Sequence, residues 1–119
     1  MVLVDTSIWV THLRQGNAHL EMLLLDGDVA CHPFIVGELA CGSIKNRNEF
    51  LTLIQSLPMV QQVALDELLQ FIEQNRLTGR GIGFVDAHLL ASAQLAGLPL
   101  WTTDKPLRSA AINLNLAYE

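Results

Sequence analysis

An apolar triplet, Val2-Leu3-Val4, runs straight into a carboxylate, Asp5, followed by two hydroxyl residues, Thr6 and Ser7. The triplet is too short for a helix and is rich in β-branched side chains. It suits a strand buried on both faces, the pattern of a parallel sheet. Ser and Thr are strong helix N-caps, and an apolar-periodic stretch begins at Ile8. The unit therefore reads strand, acid, helix. Asp5 falls at the C-terminal end of a buried strand, the edge at which open α/β sheets bind ligands.

The alternation continues along the chain. A first helix is expected from Ser7 to Gln15 with Gly16 at C′, and a second, capped by Asn17, from Ala18 to Leu25. A strand at Asp28 to Cys31 leads to a third helix, Pro33 to Cys41. Asn46 is placed to cap a fourth helix, Arg47 to Ser56, before a strand at Met59 to Val63. A fifth helix, Leu65 to Leu77, should bury Leu65, Leu68, Leu69 and Ile72. After a Gly-rich connection come a sixth helix, Phe84 to Ala96, and a strand, Pro99 to Thr102. A short helix or turn near Ser109 and a last strand, Leu114 to Tyr118, complete the reading. Strands alternating with helices imply an α/β fold with a mainly parallel sheet.

The 119 residues make one domain, 1–119. Half of them are apolar and 16% are charged, with a mean hydropathy of +0.33. No apolar run approaches the roughly 20 residues of a membrane span, and no basic signal-peptide start is present. A cytoplasmic protein with apolar surface left for a protein partner is expected. Seven basic against twelve acidic residues give a charge of −5, which argues against simple electrostatic capture of nucleic acid. Two divalent cations would bring −5 to −1. Cys31 and Cys41 lack the paired spacing of a zinc site and read as small buried hydrophobes.

Asp5 and Asp104 each end an apolar strand, while Glu38 and Asp86 lie on apolar helices. No residue three or four positions from Glu38 or Asp86 can neutralise it, whereas Glu73 has Arg76 and Glu49 has Lys45. A buried carboxylate without a partner is costly unless it is paired or binds metal. Each acid also has an ordinary explanation. Asp86 suits a helix N-terminus, Asp104 a turn, and Glu38 a distant Arg. Together they are harder to dismiss. Oxygen-only ligands suit Mg²⁺ or Mn²⁺, and such an ion relieves the repulsion among clustered carboxylates. Metal-assisted hydrolysis of a phosphoryl group is the chemistry such a site supports. Thr6, Ser7 and Thr102 place hydroxyls beside the acids.

Four stretches now carry a resemblance over nearly the whole chain. They are Val4-Asp5-Thr6-Ser7, Val36-Gly37-Glu38-Leu39, Gly83 to Ala91, and Leu100-Trp101-Thr102-Thr103-Asp104. In order and spacing the sequence resembles the PIN-domain ribonucleases, in particular the VapC-type toxins of toxin–antitoxin pairs. The resemblance implies a three-layer α/β/α domain with a five-stranded sheet in the order 3-2-1-4-5. It implies an acidic quartet at Asp5, Glu38, Asp86 and Asp104 as catalytic metal ligands, supported by Thr6, Ser7 and Thr102. It implies cleavage of RNA by water with Mg²⁺, or Mn²⁺ as substitute, in a homodimer restrained by a small antitoxin. Some relatives carry a further acid where Lys105 and Pro106 stand here, so one or two ions are expected. Arg80, Lys105 and Arg108 lie close in sequence to Asp86 or Asp104 and are candidates for RNA phosphates. His88 reads as a hydrogen-bonded structural residue, and Trp9 with Leu13 as partner surface.

Two other enzyme classes fit less well. A receiver domain needs an Asp ending its third strand, and Met59 to Val63 has none; a dehalogenase-like phosphatase needs a second Asp where Ser7 stands. A non-catalytic RNA- or protein-binding module on the same fold has little use for four clustered acids.

Overall fold

A computed structural model describes residues 1–119. Its centre is β1, Val2–Val4, whose side chains are almost completely excluded from solvent. Parallel neighbours lie on both sides, β2 (Val29–Ala30) and β3 (Leu100–Trp101). Leu3 pairs with Ala30 on one side and Leu100 on the other. Two single-residue parallel bridges widen the sheet, Cys31 with Met59 and Leu100 with Ala117. The segments thus lie as Met59, β2, β1, β3, Ala117, the arrangement expected, but as three strands and two bridges and not five strands. An edge can pair only along the strand beside it. Here β2 gives way almost at once to a helix at Pro33, and β3 to the turn at Thr102.

Seven helices surround this sheet: α1 (Thr6–Gln15), α2 (Ala18–Leu25), α3 (Pro33–Ala40), α4 (Arg47–Ser56), α5 (Leu65–Gln74), α6 (Phe84–Ala96) and α7 (Lys105–Asn113). The packing pairs α1 with α3, α3 with α4, and α5 with α6. Helix α6 is the most enclosed, with every residue from Ala87 to Ala93 buried. Gly97, at φ +69°, takes the left-handed conformation that ends α6 without a Cβ clash.

Several local expectations change. The cap of α1 is Asp5 itself, since its carboxylate accepts from the Ser7 backbone N–H; Thr6 and Ser7 are already helical. Asn46 caps nothing, because it sits at φ +51° and its side chain makes no capping bond. Where a short helix or turn was expected near Ser109, α7 is a nine-residue helix started by Asp104, with Pro106 in its first turn. On α5 the buried face is Leu68 and Phe71, leaving Leu65 and Leu69 exposed. Cys31 is buried, but Cys41 is exposed.

Trp9 is core, not partner surface: it is 0% exposed and meets Phe50 of α4 edge-on at 5.9 Å. Leu13, one turn on, does face solvent. Two turns of α1 therefore serve different ends. Trp9→Ala should lower unfolding free energy by about 3–5 kcal/mol through lost burial and the cavity left behind. Leu25→Ala, at a position 89% exposed, should stay within about 0.5 kcal/mol. Urea unfolding followed by circular dichroism measures both.

Candidate active site

The end of β1 and the end of β3 meet at Asp5. The Asp5 backbone N–H donates to Trp101 O at 2.9 Å, which sets the two strand ends side by side. The Asp5 side chain is 6% exposed. Its Oδ2 accepts from Ser7 Oγ at 2.8 Å and Thr102 Oγ1 at 2.7 Å. Each hydroxyl then accepts in turn: Ser7 Oγ from the Thr103 N–H at 3.1 Å, and Thr102 Oγ1 from the Asp104 N–H at 3.0 Å. One oxygen of a buried carboxylate thereby gains two hydroxyl donors, and the loop carrying Asp104 is tied to it.

The other three acids surround this centre differently. Glu38, on the exposed side of α3, accepts from Thr6 Oγ1 at 2.7 Å, across 32 residues of sequence. Asp104 accepts from the Leu107 N–H at 3.1 Å as the N-cap of α7. Asp86 lies in the first turn of α6 and accepts from the Gly83 N–H at 3.3 Å. Burial pushes the Asp86 carboxyl above its ordinary value; the Gly83 N–H opposes this, and the charges of Asp5, Asp104 and Glu38 push it further up. All four sequence-predicted acids therefore fall in one electrostatic neighbourhood. The only ion pair of the protein, Arg108 with Glu119 at 3.9 Å, includes none of them.

The donor set fits a hard divalent cation: four carboxylates, neighbouring hydroxyls, and no basic side chain paired to any of the acids. In the rotamers seen here, no three acidic, His or Cys side chains are drawn around one point. Each carboxyl is instead turned to its own hydroxyl or N–H. Arg80 is half-buried and Lys105 exposed, and neither is ion-paired with the acids. Arg108 pairs with Glu119. The capping roles of Asp5 and Asp104 were missed from sequence, although an acid just before a helical stretch is the usual cap signal.

His88 is 2% exposed, its ring edge-on to Phe34 and Phe84 at 4.7 and 4.6 Å. Its Nδ1 has no hydrogen-bond partner, so the expected bonding is incomplete. Burial lowers its pKa. Nearby His32 is buried too, and its pKa is pushed down to about 4 by burial and by the charge of His88. Its Nδ1 accepts from the Phe34 N–H at 2.9 Å, so it serves as the N-cap of α3. A cleft of about 400 Å³ runs from Thr6 and Glu38 along Val10, Leu13 and Arg14 of α1 to Leu39, Ile44 and Lys45.

The profile of the PIN domain family matches residues 2–113. The chain belongs to the PIN domain family. Across 118 residues this PIN domain is 47% identical to Ribonuclease VapC32 of Mycobacterium tuberculosis, covering 98% of this chain and 95% of that one. Among solved structures it is similar to PAE2754 from Pyrobaculum aerophilum, with a TM-score of 0.67 and 21% identity over 92% of this chain and 83% of that one. It is also similar to a chain in the structure of FitAB bound to an IR36 DNA fragment, with a TM-score of 0.62 and 18% identity over 98% and 92% of the two chains. At these identities the two structures speak for the fold alone.

The raised pKa of Asp86 gives this PIN domain a pH signature. Well below the ordinary value of 3.8, Asp86 is protonated in both folded and unfolded chains and has no effect. As pH rises, the unfolded chain ionises first and gains stability over the folded one. The loss levels off only above the raised folded value. Asp86→Asn, with no metal present, should therefore melt like the parent at low pH. It should melt at the same or a higher temperature than the parent at neutral pH. Thermal melts in EDTA across that range check the sign. A lower melting temperature for the variant at every pH would make Asp86 a structural residue.

Proposed function

We propose that this PIN domain, residues 1–119, is a metal-dependent endoribonuclease and the toxin half of a toxin–antitoxin pair. The carrying observation is the group of four carboxylates, Asp5 among them, with no basic side chain ion-paired to any of them. The name of the relative at 47% identity, a ribonuclease, supports RNA as substrate. On this reading Asp5, Glu38, Asp86 and Asp104 hold Mg²⁺, with Mn²⁺ as substitute, as one or two ions. The chemistry a divalent cation supplies in such a place is activation of water and stabilisation of charge on a phosphodiester during hydrolysis.

The protein's own residues then have separable tasks. Ser7 and Thr102 lock the Asp5 carboxylate in one orientation, because both hydroxyls donate to the same oxygen. Thr6 holds Glu38 by the same means. Lys105 and Arg108, exposed beside Asp104, and Arg80 are proposed for RNA phosphates. A small antitoxin is proposed to lie on α1 and α2, where Val10, Leu13, Met22 and Leu25 are exposed. The cleft beside α1 leads from that surface to Glu38, with Arg14 and Lys45 on its walls. A homodimer and a cytoplasmic location complete the reading. No helix is long and apolar enough to cross a membrane.

Purified protein should cut RNA in Mn²⁺ and stop in EDTA. Asp86→Asn should abolish cutting. Thr102→Val should reduce it by about 10–100-fold, the range for losing a group that orients a ligand. Saturating Mn²⁺ at one hundred times its dissociation constant should stabilise the parent by about 2.7 kcal/mol and Asp86→Asn by little. An Asp86→Asn variant that still cuts RNA and keeps the full Mn²⁺ shift would remove Asp86 from the site. Absence of any Mn²⁺-dependent cutting by the parent would overturn the activity itself.

A further inference from the structure

A second cleft, of about 470 Å³, opens on the other side of Thr102. Its walls are Trp101 at the end of β3, His19 of α2 and Tyr118 of the C-terminal segment, with Thr102, Thr103, Arg108 and Glu119 completing the lining. The three rings form a corner. His19 and Tyr118 are nearly parallel, 23° apart with centroids at 5.8 Å. Trp101 stands at 70° to His19, with centroids 5.3 Å apart, and at 47° to Tyr118, with centroids 5.5 Å apart. The corner is built in advance. His19 Nε2 and Tyr118 Oη are 2.7 Å apart, and the Tyr118 backbone N–H donates to Leu100 O at 3.0 Å. Rings already fixed lose little freedom when a ligand arrives.

We propose that this aromatic corner seats an unpaired base of the RNA, next to the acid group where the chain is cut. The inference rests on the ribonuclease reading above. Position argues for it: Trp101 directly precedes Thr102, which bonds Asp5, and Thr103 bonds Ser7. Chemistry argues for it as well. A base offers a π face to aromatic rings and to an Arg plane, and this contact needs no net positive charge. That matters for a chain of charge −5. Arg108 is held only by a loose surface pair with Glu119 at 3.9 Å, worth little, so it is free to turn to the ligand. A peptide is the poorer fit, because no aliphatic side chain lines this cleft, whereas Val10, Leu13, Leu39 and Ile44 line the one beside α1.

The test titrates the full chain, in EDTA, with a single-stranded RNA oligonucleotide of mixed sequence and reads tryptophan emission. Trp9 is fully buried, so stacking quench reports Trp101. The parent should be quenched. Trp101→Phe should lose the quench and still bind. His19→Ala and Arg108→Ala should each bind about tenfold more weakly, the size of one lost base–aromatic contact, with melting temperature unchanged. In Mn²⁺ the loss in His19→Ala should fall on KM, not kcat. No quench in a parent that does cut RNA overturns the base seat alone. Equal binding by both variants does the same, as does a lowered melting temperature with a lowered kcat in His19→Ala, which would make the rings a structural brace. Quench by a small co-purified protein in place of RNA also overturns it. Quench without cutting supports the base seat and overturns the ribonuclease activity.

Discussion

Carboxylates gathered without cations must find positive potential elsewhere. In this protein it comes from the backbone. Asp5 and Asp104 are the N-caps of α1 and α7, and Asp86 lies in the first turn of α6. At a helix start the first N–H groups have no partner in the helix and the aligned peptide dipoles present partial positive charge. Asp5 and Asp104 are thus each stabilised by about 0.5–2 kcal/mol as caps, and Asp86 accepts from the Gly83 N–H. Their mutual repulsion remains; burial first, and then the charges of the other three acids, hold the Asp86 carboxyl above its ordinary value. Such a group is tolerated but not neutralised, and on the proposed reading that residual charge is what a divalent cation would offset.

The parallel sheet is the reason these helix starts lie together. Strands β1 and β3 are neighbours in parallel register, so both chains leave the sheet at the same edge and both turn at once into helices. Ser7 and Thr102 then bind the two exits into one unit, each donating to Asp5 and accepting from the Thr103–Asp104 backbone. These donors offset the burial of Asp5. Loss of either hydroxyl would remove one donor to Oδ2 and leave one backbone N–H, of Thr103 or of Asp104, without its partner. Glu38 stands outside the scheme. It sits within α3 on the exposed side and reaches the group through Thr6.

The surface around the acids divides by chemistry. Toward α1 and α3 the cleft combines Val10, Leu13, Leu39 and Ile44 with Arg14 and Lys45; toward β3 and α7 it is lined by rings, hydroxyls, Arg108 and Glu119. On the proposed reading, one side suits a protein that restrains the enzyme and the other suits the polyanion it cuts. On that reading, metal and stacking would carry for this acidic protein what basic residues carry elsewhere.

Much of this was legible in the sequence. The triplet Val2-Leu3-Val4 could only be a buried strand, and acids with no counter-charge at helical spacing marked Glu38 and Asp86. Both inferences depend on neighbours within one element, where chain geometry is known beforehand. Side-chain choices between elements were not legible. Trp9 and Leu13 look alike on α1, yet only the approach of α4 with Phe50 put Trp9 in the core. Leu68 and Phe71, not Leu65 and Leu69, face inward because α6 approaches α5 from one side only. The edge strands shrank to bridges because their partners are short, a fact about β2 and β3 that no local pattern at Met59 or Ala117 contains. The corner of His19, Trp101 and Tyr118 gathers residues up to 99 positions apart. By itself, then, the sequence determined the buried strand, the succession of helices and which acids lacked a counter-charge. Tertiary structure alone decided which faces turned inward and which distant side chains met, because both depend on where each element comes to lie against the others.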